Sequence, residues 1–165
     1  MSLALLTWLF TSGALLHNLE EALWLPAWSK RAGRWYRPVA VPVFRFAVVA
    51  LSVVFVALTV FGVLSPAGGV GAYLMAGYVL AMLLNVAVPH VAVSILQRRY
   101  MPGTATAVLL NLPLGLLYLH RAQAEHFIEP RMFRWAGPMV VIGLLLAMPA
   151  LFALGRRVCG LRKPA

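Results

Sequence analysis

The sequence predicts an all-α membrane protein, a polytopic bundle of about five transmembrane helices. The chain has 165 residues, of which 62% are hydrophobic and 11% are charged, whereas a soluble domain averages about 45–50% apolar and about 25% charged residues. Five long apolar segments alternate with short polar stretches, none of which has the composition of a domain linker. These observations exclude a soluble domain and a disordered chain, and they indicate a single membrane domain over residues 1–165.

The apolar segments approach the length of about 20 residues that a bilayer core requires. We expect helices at about 3–28, 43–64, 70–96, 104–119 and 137–154, and the fourth could continue as a polar helix to residue 128. No Lys or Arg precedes the first segment, as it would in a signal peptide. We therefore expect the first segment to remain a transmembrane helix.

Basic residues predict the orientation, because cytoplasmic loops are enriched in Lys and Arg. Lys and Arg total 14, against four acidic residues. Most bases follow the first helix, the third helix or the last helix: Lys30, Arg31, Arg34, Arg37, Arg45, Arg98, Arg99, Arg156, Arg157, Arg162 and Lys163. We expect a prokaryotic plasma membrane protein with the N-terminus outside and the C-terminus in the cytoplasm. Membrane anchoring, not nucleic-acid binding, then explains the net charge of +10.

A first candidate site lies inside the first helix, where His17 precedes Glu20 and Glu21. Residues three and four apart share a helix face, so the imidazole is near both carboxylates. A glutamate within the bilayer core costs roughly 2.5–3.5 kcal/mol on insertion scales, so the pair needs protons, basic partners or a metal. Histidine with carboxylates can bind zinc or iron. The alternative is an interfacial pair that is neutralised by the basic loop.

A second candidate group reaches the same depth by counting about 1.5 Å per helical residue. His90 and Asn85 lie near the cytoplasmic end of the third helix, and Asn111 lies about 10 Å into the membrane along the fourth. We expect all three to approach His17 and the two glutamates. Trp24, Asn111 and Tyr100 are the candidate lining of a substrate pocket.

A third polar cluster is predicted on the opposite side of the membrane. It contains His120, Glu125, His126 and Glu129, in and after the polar extension of the fourth helix. A solvated interfacial segment explains this cluster without chemistry. Cys159 is the only cysteine, which excludes an intramolecular disulfide.

Three motifs in order resemble the HXXEE family of small prokaryotic membrane proteins, over roughly residues 10–119. They are His17-x-x-Glu20-Glu21 followed by Trp24, Pro26 and Trp28; Asn85-x4-His90; and Arg99-Tyr100-Met101-Pro102-Gly103. The family has no assigned function, so the resemblance implies which residues matter and not what they do. It adds Tyr100, Pro102 and Gly103 to the candidate site, although a Pro-Gly turn also has a purely structural explanation.

Three functions are compatible with these residues. The leading hypothesis is a membrane-embedded enzyme, a hydrolase or an oxidoreductase, that acts on a lipid, isoprenoid or quinone-like substrate. Its site would use Asn85 and a divalent Zn, Fe or Mn ion held by His17, Glu20, Glu21 and His90. The second is a metal-free isomerase or terpene-cyclase-like enzyme with a protonated glutamate. The third is a metal or proton carrier or a lipid-binding protein, in which a homo-oligomer could form the path.

Overall fold

The computed structural model describes residues 1–33 and 36–160, and this part of the chain contains helices and no strands. The five helices are α1 (Leu3–Ser29), α2 (Val41–Leu64), α3 (Val70–Gln97), α4 (104–124) and α5 (Pro130–Val158). The all-α prediction is confirmed. Three of the predicted cytoplasmic bases, Arg34, Arg162 and Lys163, lie outside the described residues.

Three of these helices, α2, α3 and α5, are long and apolar enough to cross a membrane, which indicates a membrane protein. α5 is longer than predicted, since it begins at Pro130 and not near residue 137. Proline is well tolerated at the first helical position because the N–H that it lacks has no partner there. α4 ends at Ala124, between the two predicted limits of 119 and 128.

α1 and α2 pack antiparallel, with polar contacts at regular intervals. Thr11 and Thr59 share a buried hydrogen bond of 2.8 Å between their hydroxyls, and Asn18 donates to the Ser52 hydroxyl at 2.9 Å. The partners on each helix are seven residues apart, or about two turns, so they fall on nearly the same face. Such interhelical hydrogen bonds fix the register of helices in a membrane.

α3 and α4 are both irregular where they pass α1. α3 has a π-helical segment at Val86–Val91, with extended backbone angles at Val88, and α4 has one at Ala107–Asn111. Residues five apart in a regular α-helix point about 140° away from each other, because each residue turns the chain by about 100°. Wider or broken turns reduce this divergence. Both Asn85 and His90 consequently contact α1 residues.

The contacts between loops assign the elements to the two ends of the bundle. Arg121 donates to the Met1 carbonyl at 3.1 Å, and the Gly68 N–H donates to the Phe127 carbonyl at 2.9 Å. The N-terminus, the α2–α3 turn and the α4–α5 connection thus share one end. The α1–α2 and α3–α4 loops and the end of α5 lie at the other, which we call the basic end.

Candidate metal centre

Three side chains from α1 and α3 place potential metal ligands close together near the basic end. One ligand atom from each of His17, Glu21 and His90 lies within 4.8 Å of the other two. Glu21 Oε1 is 3.2 Å from His90 Nε2, and Glu21 Oε2 is 3.9 Å from His17 Nε2. The two imidazoles meet edge to face, with ring centroids 4.7 Å apart. The rise per residue along the predicted helices had placed the same three residues at one depth in the membrane.

Hydrogen bonds fix the orientation of the His17 ring. Its Nδ1 lies 3.1 Å from the Gly103 carbonyl and 3.2 Å from the Thr106 hydroxyl, both of which can accept a hydrogen bond. The Asn85 amide donates to Nε2 at 3.2 Å. The ring therefore carries its proton on Nδ1 and presents a lone pair on Nε2. Metal-binding histidines commonly have this arrangement, in which the second nitrogen donates to a carbonyl.

His90 is fully buried, and neither of its ring nitrogens has a hydrogen-bond partner among the residues that the structure describes. Glu21 Oε1 lies 3.2 Å from Nε2, but the two groups are not aligned for a hydrogen bond. Most buried polar side-chain atoms in proteins are hydrogen-bonded, so an unpartnered imidazole needs an explanation. A bound ligand for one of its nitrogens would supply it.

Glu20 has a different environment from Glu21, although the two are adjacent. Its carboxylate accepts hydrogen bonds from the Tyr100 hydroxyl, the Gly103 N–H at 2.8 Å, and the hydroxyl and N–H of Thr106 at 2.6 and 3.4 Å. Four donors saturate a carboxylate that carries no proton. Glu20, which the sequence offers as a fourth ligand, instead joins α1 to the α3–α4 loop and to the start of α4.

The Tyr100-x-Pro102-Gly103 segment forms a wall of the site and not merely a turn. Gly103 has a φ of +95°, and a Cβ on it would lie 2.5 Å from His90 Cε1 and 2.9 Å from His17 Cε1. Glycine is required here both by the backbone conformation and by the two imidazoles. Tyr100 lies at the rim, where partial burial and its hydrogen bond to Glu20 raise the pKa of its phenol above the usual value.

Thr106 is a site residue that the sequence reasoning missed. Its hydroxyl lies between the Glu20 carboxylate and the His17 ring. A threonine in the first turn of a helix is too common to predict a site residue by itself. Its position could have predicted it, because Thr106 comes three residues after Gly103 on a helix that begins at the depth of Glu20.

Two residues proposed for a substrate pocket occupy very different surroundings. Asn111 is fully buried in α4, and its amide faces α1 near Gly13. Trp24 is 57% exposed on the outside of the bundle, so it does not line the buried site. The described structure therefore brings Asn111, and not Trp24, into the protein interior.

The third polar cluster, at the opposite end of the bundle, is exposed as predicted. His120, Glu125, His126 and Glu129 are all solvent-accessible. Arg121 forms an ion pair with Glu125 one turn later in the chain, and Glu129 immediately precedes α5. Nothing in these contacts distinguishes the cluster from an ordinary interfacial segment.

Comparisons with known proteins identify relatives without an assigned activity. Residues 8–118 match the model of a family described as "Protein of unknown function with HXXEE motif". The chain is also 31% identical to the uncharacterized protein YrkK of Bacillus subtilis, over 90% of this chain and 94% of that protein. No solved structure matches the chain. The residues matched by the family model include most of α1, all of α3 and the α3–α4 loop, which build the candidate centre.

Proposed function

Because the chain belongs to the family of proteins of unknown function with an HXXEE motif, we propose its activity from the site itself: a membrane-embedded metalloenzyme acting on a lipophilic substrate. The observation that carries this proposal is the convergence of two buried histidines and one carboxylate within 4.8 Å. Two histidines and a carboxylate are a common ligand set for zinc and for non-haem iron. The residues that would hold the ion are His17, Glu21 and His90.

The distances between the ligand atoms support this assignment. Zinc–nitrogen bonds of about 2.0–2.1 Å in a tetrahedral site put neighbouring ligand atoms about 3.3 Å apart. The 3.2 Å between Glu21 and His90 has this length already, and the 3.9 Å between Glu21 and His17 requires a small contraction. Asn85, which now donates to His17 Nε2, would have to release this nitrogen before it could bind an ion.

The surroundings favour a substrate from the membrane. Leu25, Phe44 and Met101 belong to a buried apolar cluster at the same end of the bundle. The Glu21 side chain is 16% exposed, so the site is reachable without unfolding the bundle. A divalent ion there would supply Lewis-acid or redox chemistry; zinc would favour hydrolysis, and iron would favour oxidation.

The metal-free acid–base alternative is less well supported. It requires a glutamate that carries a proton, whereas the two backbone N–H donors of Gly103 and Thr106 that face Glu20 favour its ionised form. Glu21 would be the remaining acid. It would have to act without a metal beside two imidazoles, one of which lacks any hydrogen bond.

Elemental analysis of the detergent-purified protein tests the proposal. We expect one or two zinc, iron or manganese ions per chain, lost in Glu21→Gln and His90→Ala. Glu129→Gln and His120→Ala are matched controls, because they remove the same groups from the opposite end of the bundle. Wild-type protein without stoichiometric metal after chelator-free purification, or full metal in both site variants, would refute the proposal.

A further inference from the structure

We propose that Asn111 binds the hydroxyl group of the lipophilic substrate, one helical turn away from the metal ligands. This inference rests on the proposed function, because it names a chemical group on the substrate of the same site. It gives a role to a residue whose side chain makes no hydrogen bond within the described part of the chain.

Asn111 is an unusual buried residue. Its side chain is fully buried, and neither its amide oxygen nor its amide nitrogen has a hydrogen-bond partner among residues 1–33 and 36–160. Folded proteins satisfy the large majority of buried polar atoms with partners or ordered water. Asn18, another buried amide on a neighbouring helix, follows this rule by donating to Ser52. Asn111 thus presents an unused donor and an unused acceptor inside the bundle.

The position of Asn111 puts these atoms against α1, one turn before the His17 ligand. The amide oxygen would lie 3.5 Å from a Cβ on Gly13, and Gly13 precedes His17 by four residues, or about 6 Å along α1. The π-helical segment that ends at Asn111 begins next to Thr106, whose hydroxyl contacts His17. Because Gly13 has no side chain, the amide can lie directly against this part of α1.

The chemistry of the amide selects the ligand. A hydroxyl both donates and accepts, so one hydroxyl can satisfy the amide oxygen and the amide nitrogen together. A ketone or ester carbonyl would satisfy only the nitrogen. A phosphate would bring negative charge beside Leu110 and Leu114, the neighbours of Gly13, which cannot compensate it. A lipid alcohol fits best, and water is the other source of a hydroxyl.

Thermal unfolding with matched lipids tests the inference. The probes are cetyl alcohol and cetyl methyl ether, in which a methyl group replaces the hydroxyl hydrogen. Each is added to wild type, Asn111→Leu and Asn18→Leu in detergent. We expect the alcohol to raise the unfolding temperature of wild type and Asn18→Leu, and that of Asn111→Leu by much less. The ether should have little effect on any of them.

The lipid-free proteins provide an independent readout. Asn111→Leu should unfold at a temperature equal to or above that of wild type, because it removes an unpaired buried amide, whereas Asn18→Leu should unfold lower. Equal alcohol shifts in wild type and Asn111→Leu, or no shift in wild type as expected of a water site, would overturn the inference. Metal content is measured on the same samples: full metal with equal shifts refutes this inference alone, and absent metal in wild type refutes the proposed function.

Discussion

At the scale of single residues, the two adjacent glutamates have different neighbours because they point in different directions from the same helix. Neighbouring residues on an α-helix point about 100° apart. Glu20 therefore faces the α3–α4 loop and the start of α4, and Glu21 faces the two imidazoles. We infer that Glu20 is a positioning residue and that Glu21 is the ligand.

Replacing Glu20 by Gln tests this division. The amide nitrogen of Gln donates and cannot accept, so at least one of the donors from Tyr100, Gly103 and Thr106 loses its partner, at a cost of about 1–3 kcal/mol. We expect a lower unfolding temperature and a metal affinity reduced about 10- to 100-fold through the displaced His17. Metal titration should still reach full stoichiometry in Glu20→Gln, and should not in Glu21→Gln. If neither variant reached full stoichiometry, both glutamates would be ligands; if both reached it, neither would be.

Replacing Gly103 by Ala should weaken metal binding. In Gly103→Ala the new methyl would meet both imidazoles, at 2.5 and 2.9 Å, so the rings must separate. We expect metal affinity to fall about tenfold or more, the loss typical of displaced ligand supports, in addition to about 1–2 kcal/mol of backbone strain from the left-handed conformation. Gly68→Ala is the control, because Gly68 has a φ of +73° and no atom of the described residues lies within 4 Å of its Cβ position. If both variants bind metal equally well, Gly103 is needed only for the turn.

At the scale of elements, a proline inside α1 leaves a carbonyl without its intrahelical partner, and a residue of α2 donates to that carbonyl. Pro26 lies inside α1 and has no N–H, so the Ala22 carbonyl loses its usual partner four residues later. Arg45 at the start of α2 donates to that carbonyl with its Nε, at 3.1 Å. An interhelical contact thus replaces an intrahelical one near the candidate centre.

A double-mutant cycle checks this replacement. Arg45→Met should destabilise the wild-type protein by about 0.5–1.5 kcal/mol. The same change should cost less in a Pro26→Ala background, where the alanine N–H restores the intrahelical hydrogen bond. Thermal unfolding of the four proteins measures the coupling. Additive effects would indicate that Arg45 acts through charge alone.

The sequence predicted the helices and the depth of the site better than it predicted contacts. Helix counting works because the rise per residue is nearly constant, so His17 and His90 were expected at one level. The separate roles of Glu20 and Glu21 depend on which neighbour each one faces. Asn85 and His90 share a target only because α3 departs from regular geometry between them. Pro89 predicts a bend at this point, but it does not predict which side chains the bend brings to α1.

Thr106 and Trp24 also show that the sequence alone did not identify the residues that line the site. It missed Thr106, which lies in the site, and it proposed Trp24, which does not. Thr106 had no distinctive spacing, yet the fold of the α3–α4 loop places it between Glu20 and His17. Trp24 follows the two glutamates by about one turn, but it is exposed, whereas the next residue, Leu25, is fully buried. The identity of a lining residue depends on where the neighbouring helices lie, which a single helix does not encode.

At the scale of the whole molecule, charge and site lie at the same end. The basic end carries Lys30, Arg31, Arg37, Arg45, Arg98, Arg99, Arg156 and Arg157 among the described residues. The opposite end carries Arg121, Arg131 and Arg134, and the first of these is paired with Glu125. Because basic loops are retained in the cytoplasm, we propose that the candidate centre opens toward the cytoplasmic side.

Metal removal from oriented vesicles tests that orientation. The chelator EDTA does not cross the bilayer, so it reaches only the outward-facing end of the protein. We expect EDTA to strip the metal much faster from inverted vesicles, which expose the cytoplasmic end, than from right-side-out vesicles. A membrane-permeant chelator such as phenanthroline should act equally on both and controls for metal lability. Faster stripping from right-side-out vesicles would place the centre on the outer side, and the charge asymmetry would then need a cause other than loop retention.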